Sequence, residues 1–219
     1  MRKWIRTLGA VCGVLFAATV GFWLVGFVRG QVELRRYPVA FAPEIRASAE
    51  EYRLNPYMVI AVMRCESTFD PNAVSGVGAS GLMQIMPETG AWIAEQLGEQ
   101  DAYSLERLFD PETNIRYGCW YLRYLCDLFS GDFKLVVCAY NAGQGNVAKW
   151  LANPDYAQNG ALSVIPFEST ATYYERVETA YARYEALYPA LFDEAGDGLP
   201  AKEAYAIMRQ FSEELPCWK

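Results

Sequence analysis

The residue best suited to do chemistry is a single carboxylic acid, Glu66, at the end of an apolar run. Residues 56–65 leave almost no polar face, so the pattern predicts a helix buried on all sides, with Asn55 as its cap and Pro56 in its first turn. Burial and the negative end of the helix dipole both disfavour an anion, so both raise the pKa of Glu66. A carboxyl group that keeps its proton near neutral pH can act as a general acid. The alternative is a solvated carboxylate just past a helix end.

The composition excludes several other kinds of site. The chain of 219 residues has no histidine, which removes nucleophiles activated by histidine and every histidine-ligated metal site. A net charge of −7 argues against nucleic acid as the main partner. The cysteines lack C-x-x-C spacing, which argues against zinc. The sequence as a whole implies no metal and no organic cofactor. Most of them are expected to be small buried apolar residues, with a long-range disulfide as the alternative.

The N-terminal part is predicted to anchor the chain in a membrane. Residues 8–28 are uncharged and long enough to cross a bilayer as one helix. A cleaved signal peptide has a shorter apolar core with a small-residue cleavage site after it, so we expect an uncleaved signal anchor. A buried core helix is the alternative. Basic residues lie on both sides of the run, so charge alone leaves its orientation open.

The rest of the chain predicts helices and no strands of useful length, hence an all-α protein. We divide the chain into a basic end (1–6), a membrane span (7–28), a linker (29–42), a main domain (43–189) and a C-terminal extension (190–219). Caps, proline positions and helical spacing predict helices at 43–52, 56–65, 81–86, 87–98, 104–109, 110–129, 133–140, 146–151, 167–188 and 200–211. The start at Asp110 is the best defined, because a capping residue, a proline and an acidic first turn follow one another.

Five motifs follow one another along the main domain. They are Glu66-Ser-Thr-Phe-Asp-Pro-Asn-Ala, Gly78-Ala-Ser-Gly-Leu-Met-Gln-Ile-Met-Pro-Glu-Thr89, Asp110-Pro-Glu-Thr-Asn-Ile-Arg-Tyr-Gly118, Ala139-Tyr-Asn-Ala-Gly143 and Ile165-Pro-Phe-Glu-Ser-Thr170. In this order they resemble the successive motifs of the soluble lytic transglycosylase family. The resemblance covers about residues 43–188 and implies an all-α, lysozyme-like domain of the goose-type lysozyme and lytic transglycosylase kind.

The resemblance also implies an activity. Enzymes of this family cleave the β-1,4 bond between N-acetylmuramic acid and N-acetylglucosamine in peptidoglycan without water and leave a 1,6-anhydro end. Glu66 would be the only catalytic acid and base, unlike the pair of carboxylates in ordinary glycosidases. The implied partner is the peptidoglycan glycan strand, and the implied location is a bacterial cell membrane, crossed once, with the catalytic domain on the extracytoplasmic side. The sequence leaves the protein partners open.

The resemblance assigns substrate-binding roles to further residues of the motifs, each of which also has a structural interpretation. They are Ser67, Gln84, Met86, Tyr140, Asn141 and Glu168. Ser67 could simply finish its helix, and Tyr140, expected to point towards Glu66, could be a core aromatic. Glu168 could serve only as a charge that suits the start of a helix. Asp70 is expected to cap a turn, because Pro71 ends the helix before it.

Two other functions stay open at this point. One is a hydrolytic lysozyme on the same fold, which would leave reducing ends rather than anhydro ends. The other is a catalytically idle domain that binds glycan within an envelope assembly. The carboxylic acid at Glu66 favours an enzyme over the idle domain.

Overall fold

A computed structural model of the chain describes residues 2–192, with side chains in the first helix only at residues 13, 15, 16 and from 18 onward. The chain divides into two compact units, Met1–Pro38 and a second unit that begins at Val39. The predicted helix at 200–211 and nearly all of the C-terminal extension lie outside the described residues.

The described residues form eight α-helices, two short 3-10 helices and one small hairpin. The α-helices are α1 (Arg2–Arg36), α2 (Ala42–Glu51), α3 (Pro56–Ser67), α4 (Pro87–Gln96), α5 (Pro111–Leu128), α6 (Phe133–Ala142), α7 (Gln144–Ala152) and α8 (Glu168–Leu187). The 3-10 helices are Gln100–Ala102 and Leu105–Phe109, and strands β1 (Ala157–Gln158) and β2 (Ala161–Leu162) pair antiparallel. The prediction of an all-α protein is confirmed, since the unpredicted hairpin has only two residues on each side.

Three helices have N-cap side chains that accept hydrogen bonds from backbone N–H groups of the first turn. Asn55 accepts a hydrogen bond from the backbone N–H of Tyr57 at 2.9 Å, at the start of α3. Asp110 accepts one from the N–H of Thr113 at 2.9 Å, at the start of α5. Asp132 does the same at 3.0 Å for α6. Such caps are each worth about 1 kcal/mol, and the first two confirm the helix starts predicted from the sequence.

The helix predicted at 81–86 is wrong. Residues 81–86 form a turn and not a helix, because Gly81 and Gln84 both adopt positive φ, at 77° and 48°. Ser80 and Ile85 close this turn with two reciprocal backbone hydrogen bonds of 3.0 Å each. Helix α1 continues to Arg36, so more than half of the predicted linker is helical. The membrane span predicted at 7–28 is not found among the described residues, where no helix has both the length and the apolarity to cross a bilayer.

Helix α3 is the centre of the second unit. Every side chain from Met58 to Met63 has no exposed surface, and α8 and α2 pack against this helix. Burying one such apolar side chain contributes about 1.5–3 kcal/mol, so α3 has a well-determined position. The predicted all-round burial of this helix is therefore confirmed. Since Glu66 lies in the last turn of α3, its side chain projects from the best-fixed helix of the unit.

Candidate active site

Glu66 is a half-buried carboxyl group with a partner from the other end of the domain. The hydroxyl of Tyr173 donates a hydrogen bond of 2.5 Å to its Oε1. Burial raises the pKa of Glu66 to about 7, even though the Tyr173 hydrogen bond and the positive charge of Arg176 both lower it. The predicted rise is thus confirmed, with burial as its main cause. At neutral pH this group can both give and accept a proton.

Tyr173 and Arg176 reach the end of α3 from one face of α8, because residues three apart in a helix are neighbours. Arg176 Nη2 donates to the backbone carbonyl of Cys65 at 3.1 Å. That carbonyl lies in the last turn of α3, where helical acceptors lack a partner within their own helix. Sequence reasoning missed both residues. Two features of the sequence could have indicated them. The predicted last helix carries several aromatic residues, among them Tyr173, and some helix had to cover α3, which was predicted to be buried on all sides.

The backbone directly after Glu66 is held in an uncommon conformation. Thr68 and Phe69 both adopt left-handed φ, at 54° and 64°. Such a conformation costs a residue with a side chain about 1–2 kcal/mol. The chain then turns at Asp70, whose carboxylate accepts a hydrogen bond of 2.9 Å from the N–H of Asn72. Asp70 is exposed and caps the turn, as predicted.

Gln84 is held at the apex of the turn between α3 and α4. Its Nε2 donates to the carbonyl oxygens of Ala73 at 3.1 Å and Gly81 at 2.9 Å. Both bonds use the amide nitrogen, so the side-chain oxygen is the atom left to contact a ligand. Met86 is half-buried two residues later, immediately before the first residue of α4.

A buried amide on α5 determines the shape of this turn. Asn114 is fully buried and donates from Nδ2 to the carbonyls of Ser80 at 3.0 Å and Leu108 at 2.7 Å. Its Oδ1 accepts from the N–H of Met83 at 2.7 Å. A Cβ at Gly81 would lie 2.2 Å from the Leu108 carbonyl, and one at Gly118 would lie 2.2 Å from the sulfur of Met83. Gly81 in the turn and Gly118 on α5 therefore have no room for a side chain, and the turn packs against α5 only with glycine at both positions.

Tyr140 is half-buried beside the same turn. Its hydroxyl donates a hydrogen bond of 2.8 Å to the carbonyl of Met83. Burial is the main reason that the pKa of Tyr140 is raised, and the nearby negative charge of Glu66 raises it further. Tyr140 is thus a neighbour of Glu66, as the sequence predicted, but the hydroxyl bonds to the turn and not to the carboxyl group.

The remaining predicted site residues are Asn141, Ser67 and Glu168. Asn141 is exposed, and its Oδ1 accepts a hydrogen bond of 2.8 Å from the buried Thr170, which leaves its NH₂ group for a ligand. Ser67 makes a long contact of 3.4 Å to the Met63 carbonyl, in keeping with a residue that finishes α3. Glu168 is exposed at the first residue of α8.

The described residues offer no site for a metal ion, since no three suitable side chains among them lie close enough together. Cys65, Cys119 and Cys138 are buried free thiols, and Cys126 is buried as well. Burial raises the pKa of Cys138 to about 11 and that of Cys119 still further. The prediction that most cysteines are small buried residues is confirmed for these four.

Comparison with known proteins identifies the family. The family model described as "Transglycosylase SLT domain" matches residues 43–162, which is more than half of the chain. The chain belongs to this family, as its motifs predicted.

The similar proteins carry names of one kind. A soluble lytic murein transglycosylase of Escherichia coli is 36% identical over 153 residues, which is 68% of this chain and 24% of that protein. A membrane-bound lytic murein transglycosylase C of Yersinia enterocolitica is 34% identical over 133 residues, 57% of this chain and 36% of that one. The chain thus spans only about a quarter to a third of the length of these relatives.

Solved structures confirm the fold. The 70-kDa soluble lytic transglycosylase of Escherichia coli matches with a TM-score of 0.65 at 33% identity, covering 73% of this chain and 26% of that one. The lytic transglycosylase Slt of Pseudomonas aeruginosa matches with a TM-score of 0.64 at 34% identity, covering 71% and 25%. The predicted all-α domain of the lytic transglycosylase type is therefore confirmed.

Proposed function

We propose that the chain is a peptidoglycan lytic transglycosylase in which Glu66 is the only catalytic acid and base. The observation that carries this proposal is the half-buried carboxyl group of Glu66, with a pKa of about 7 and a hydrogen bond from Tyr173. The names of the relatives, soluble and membrane-bound lytic murein transglycosylases, support the substrate class.

In the first step, protonated Glu66 gives its proton to the glycosidic oxygen between N-acetylmuramic acid and N-acetylglucosamine. The bond from that oxygen to the anomeric carbon breaks, and the N-acetylglucosamine side leaves with a hydroxyl group. The N-acetyl group of the substrate stabilises the positive charge that develops at the anomeric carbon. Since half of the Glu66 population keeps its proton at a pH equal to its pKa, the acid form is available at neutral pH.

In the second step, the Glu66 carboxylate takes the proton of the C6 hydroxyl of the muramyl residue. The freed oxygen bonds to the anomeric carbon and closes the 1,6-anhydro ring, which returns Glu66 to its protonated form. The hydrogen bond from Tyr173 and the positive charge of Arg176 stabilise the carboxylate between the two steps. One carboxyl group therefore serves both proton transfers, and Asp70 is occupied in its turn.

We also propose substrate-binding roles for the residues around Glu66. Gln84 offers its side-chain oxygen and Asn141 its NH₂ group to sugar hydroxyls and acetamido groups, because their other polar atoms already have partners. Met86 supplies apolar surface beside the turn, and Tyr140 holds that turn through Met83. Ser67 and Glu168 have the least support, since one finishes a helix and the other is an exposed helix start.

The test is product analysis with purified full chain and purified cell wall. We expect soluble muropeptides that end in 1,6-anhydro rings, identified by mass spectrometry, and no detectable product from Glu66→Gln. Glu175→Gln is the matched control, because it makes the same chemical change at an exposed position of α8. Reducing ends would instead identify a hydrolytic lysozyme. A wild type that releases nothing would leave only a glycan-binding role. A Glu66→Gln variant as active as the control would rule out Glu66 as the catalytic group.

Membrane attachment through α1 is a separate proposal. We infer that this helix attaches the chain to the bacterial cell membrane and that the domain at 43–189 works on the extracytoplasmic side, where peptidoglycan lies. Two observations support this. Large apolar side chains along α1 are exposed to solvent, among them Phe16, Phe22 and Trp23 at 71–78%, and one of the similar proteins is named as membrane-bound.

A further inference from the structure

A group of four aromatic rings lies on α4 and α5, away from the groups assigned to catalysis. Trp92 comes from α4, and Trp120, Tyr121 and Tyr124 come from α5; we call this group the aromatic platform. Trp120 and Tyr124 are stacked with ring centroids 5.8 Å apart, and Tyr121 and Tyr124 are nearly parallel at 6.2 Å. Trp92 meets Tyr124 edge to face at 5.0 Å and Trp120 at 5.1 Å.

The platform is at the surface and not in the core. All four side chains are half-buried, whereas the neighbouring core residues Leu122 and Leu125 on α5 have no exposed surface. The rings carry four polar atoms, two indole N–H groups and two hydroxyls. None of these atoms is buried without a partner, and within residues 2–192 none has a hydrogen bond to protein. The two indole N–H groups and the Tyr124 hydroxyl are therefore open to a ligand, whereas burial raises the pKa of Tyr121, whose ring links the platform to Tyr140.

The platform is continuous with the candidate active site. The ring of Tyr121 lies 5.5 Å from that of Tyr140. Tyr140 in turn bonds to the turn that carries Gln84 and lies close enough to Glu66 to respond to its charge. A row of aromatic side chains in contact thus leads from Tyr140, a neighbour of Glu66, across α5 to α4.

We propose that the aromatic platform is an additional glycan-binding site, which holds a stretch of the peptidoglycan strand beyond the sugars at Glu66. This proposal rests on the proposed function. Sugar rings have one apolar face of C–H groups and a rim of hydroxyl and acetamido groups. Aromatic rings with an apolar body and a polar tip match both features, because the face can stack on the sugar and the free N–H or O–H can bond to its rim.

The continuity with Tyr140 favours a glycan strand over a protein partner or a second copy of the chain. A strand threaded past Glu66 must leave the active site along some surface, and the platform is the surface that the aromatic row reaches. The platform would bind through stacking and hydrogen bonds without requiring charge, which suits an anionic polymer and a chain of net charge −7.

The experiment measures how affinity depends on strand length. Full chain with Glu66→Gln, which binds without cutting, is titrated with uncrosslinked glycan strands of increasing length. We expect affinity to increase with length, and the additional changes Trp92→Ala and Trp120→Ala to remove that increase, with roughly tenfold weaker binding of the longest strands. Trp92→Phe with Trp120→Phe should restore most of it, since phenylalanine keeps a stacking face. Leu128→Ala, an exposed apolar position on α5, is the matched control and should keep the length dependence.

Each other outcome contradicts the proposal. Long strands that bind the alanine pair as well as the parent overturn it, and so does an equal loss in the Leu128→Ala control. A change of oligomeric state in gel filtration with unaltered glycan binding would assign the platform to contacts between copies. If the alanine pair does not fold, tryptophan fluorescence tests the proposal with the phenylalanine pair. A strand bound at the platform should change the emission of Trp92 and Trp120 in the parent, and this change should be lost in the phenylalanine pair. An equal change in both proteins would contradict the proposal. Product analysis of wild type tests the proposed function separately, since it does not depend on strand length.

Discussion

At the scale of single residues, the chemistry depends on opposing effects at one carboxyl group. Burial raises the pKa of Glu66 to about 7, while Tyr173 and Arg176 stabilise its charged form. If burial acted alone, the acid would give up its proton less readily in the first step. If solvation were complete, no proton would be left to give at neutral pH. The partial burial therefore suits a group that must be first an acid and then a base.

Removal of the Tyr173 hydroxyl should shift the pH dependence of activity. Tyr173→Phe takes away a hydrogen bond that favours the carboxylate, so the pKa of Glu66 increases and the fall of kcat/KM on the alkaline side moves to higher pH. We also expect a rate roughly tenfold to a hundredfold lower at the optimum, because the carboxyl group loses its orientation. Steady-state rates on solubilised glycan between pH 5 and 9, in about half-unit steps, measure both effects.

Tyr174→Phe is the control for that experiment. Its hydroxyl donates to Glu178 on the exposed side of α8, so its removal leaves Glu66 unaffected. An alkaline limb at the same pH in Tyr173→Phe and in Tyr174→Phe would contradict the role assigned to the hydrogen bond.

Replacement of Glu66 by glutamine should stabilise the fold in a pH-dependent way. The pKa is 4.5 in a solvated reference and about 7 in the folded chain, so the folded state binds more protons between these values. The stability of wild type must then decrease as pH rises from about 4.5 to 7, by on the order of 2 kcal/mol, whereas that of Glu66→Gln lacks this loss. Urea unfolding at pH 4.5 and at pH 8 checks this, and a difference between the proteins that does not change with pH would refute it.

Glu66 and the cause of its raised pKa could be predicted from local sequence, because an apolar helix with one terminal carboxyl group is a local pattern. Its hydrogen-bond donor could not. Tyr173 lies 107 positions away, and nothing near either residue indicates that α8 covers the end of α3. The donation from Tyr140 to Met83 was missed for the same reason, since it joins residues 57 positions apart.

At the scale of secondary structure, the buried side-chain amide of Asn114 determines the conformation of residues 81–86, which local propensity predicts wrongly. Residues 81–86 have a capping serine and helix-forming side chains, so local rules predict a helix. The three hydrogen bonds of Asn114 instead hold the segment as a turn against α5. Most other helices were predicted within a few residues, because caps and prolines define their starts locally.

Asn114→Ala should therefore destabilise the fold and disorder the turn. The change removes three buried hydrogen bonds and leaves the Met83 N–H and the Leu108 carbonyl without partners, which should cost about 3–5 kcal/mol. The Ser80 carbonyl keeps its bond from the Ile85 N–H. Hydrogen exchange should show lost protection in the turn that carries Gln84. Asn146→Ala is the control, since it removes one local bond to the Ala142 carbonyl and should cost about 1 kcal/mol. A cost for Asn114→Ala as small as that of the control would contradict this account.

At the scale of the whole molecule, the two compact units have different tasks in the proposed function. The unit that ends at Pro38 presents apolar side chains to its surroundings, while the second unit keeps its own core in α3. The approximate boundary between the units could be predicted from the sequence, because the apolar run and the part that carries the motifs are separate stretches. The membrane span was predicted from that run and is not found among the described residues.

Fractionation of cells tests the proposed attachment. We expect the full chain to sediment with membranes and to be released by detergent but not by high salt or alkaline carbonate. A chain that lacks residues 2–36 should be soluble. Substitution of Arg35 and Arg36 by glutamine provides a control for electrostatic attachment, because it leaves the apolar residues of α1 unchanged. A full chain that salt releases, or that stays soluble without detergent, would rule out apolar anchoring.

The left-handed backbone at Thr68 and Phe69 has a consequence for engineering. Selection for heat resistance alone should favour glycine at these positions, because glycine adopts this conformation without steric cost. The same replacement would loosen the residues that immediately follow Glu66 and so trade turnover for robustness. Directed evolution for thermostability should therefore select glycine at these positions only when the variants are not also screened for activity.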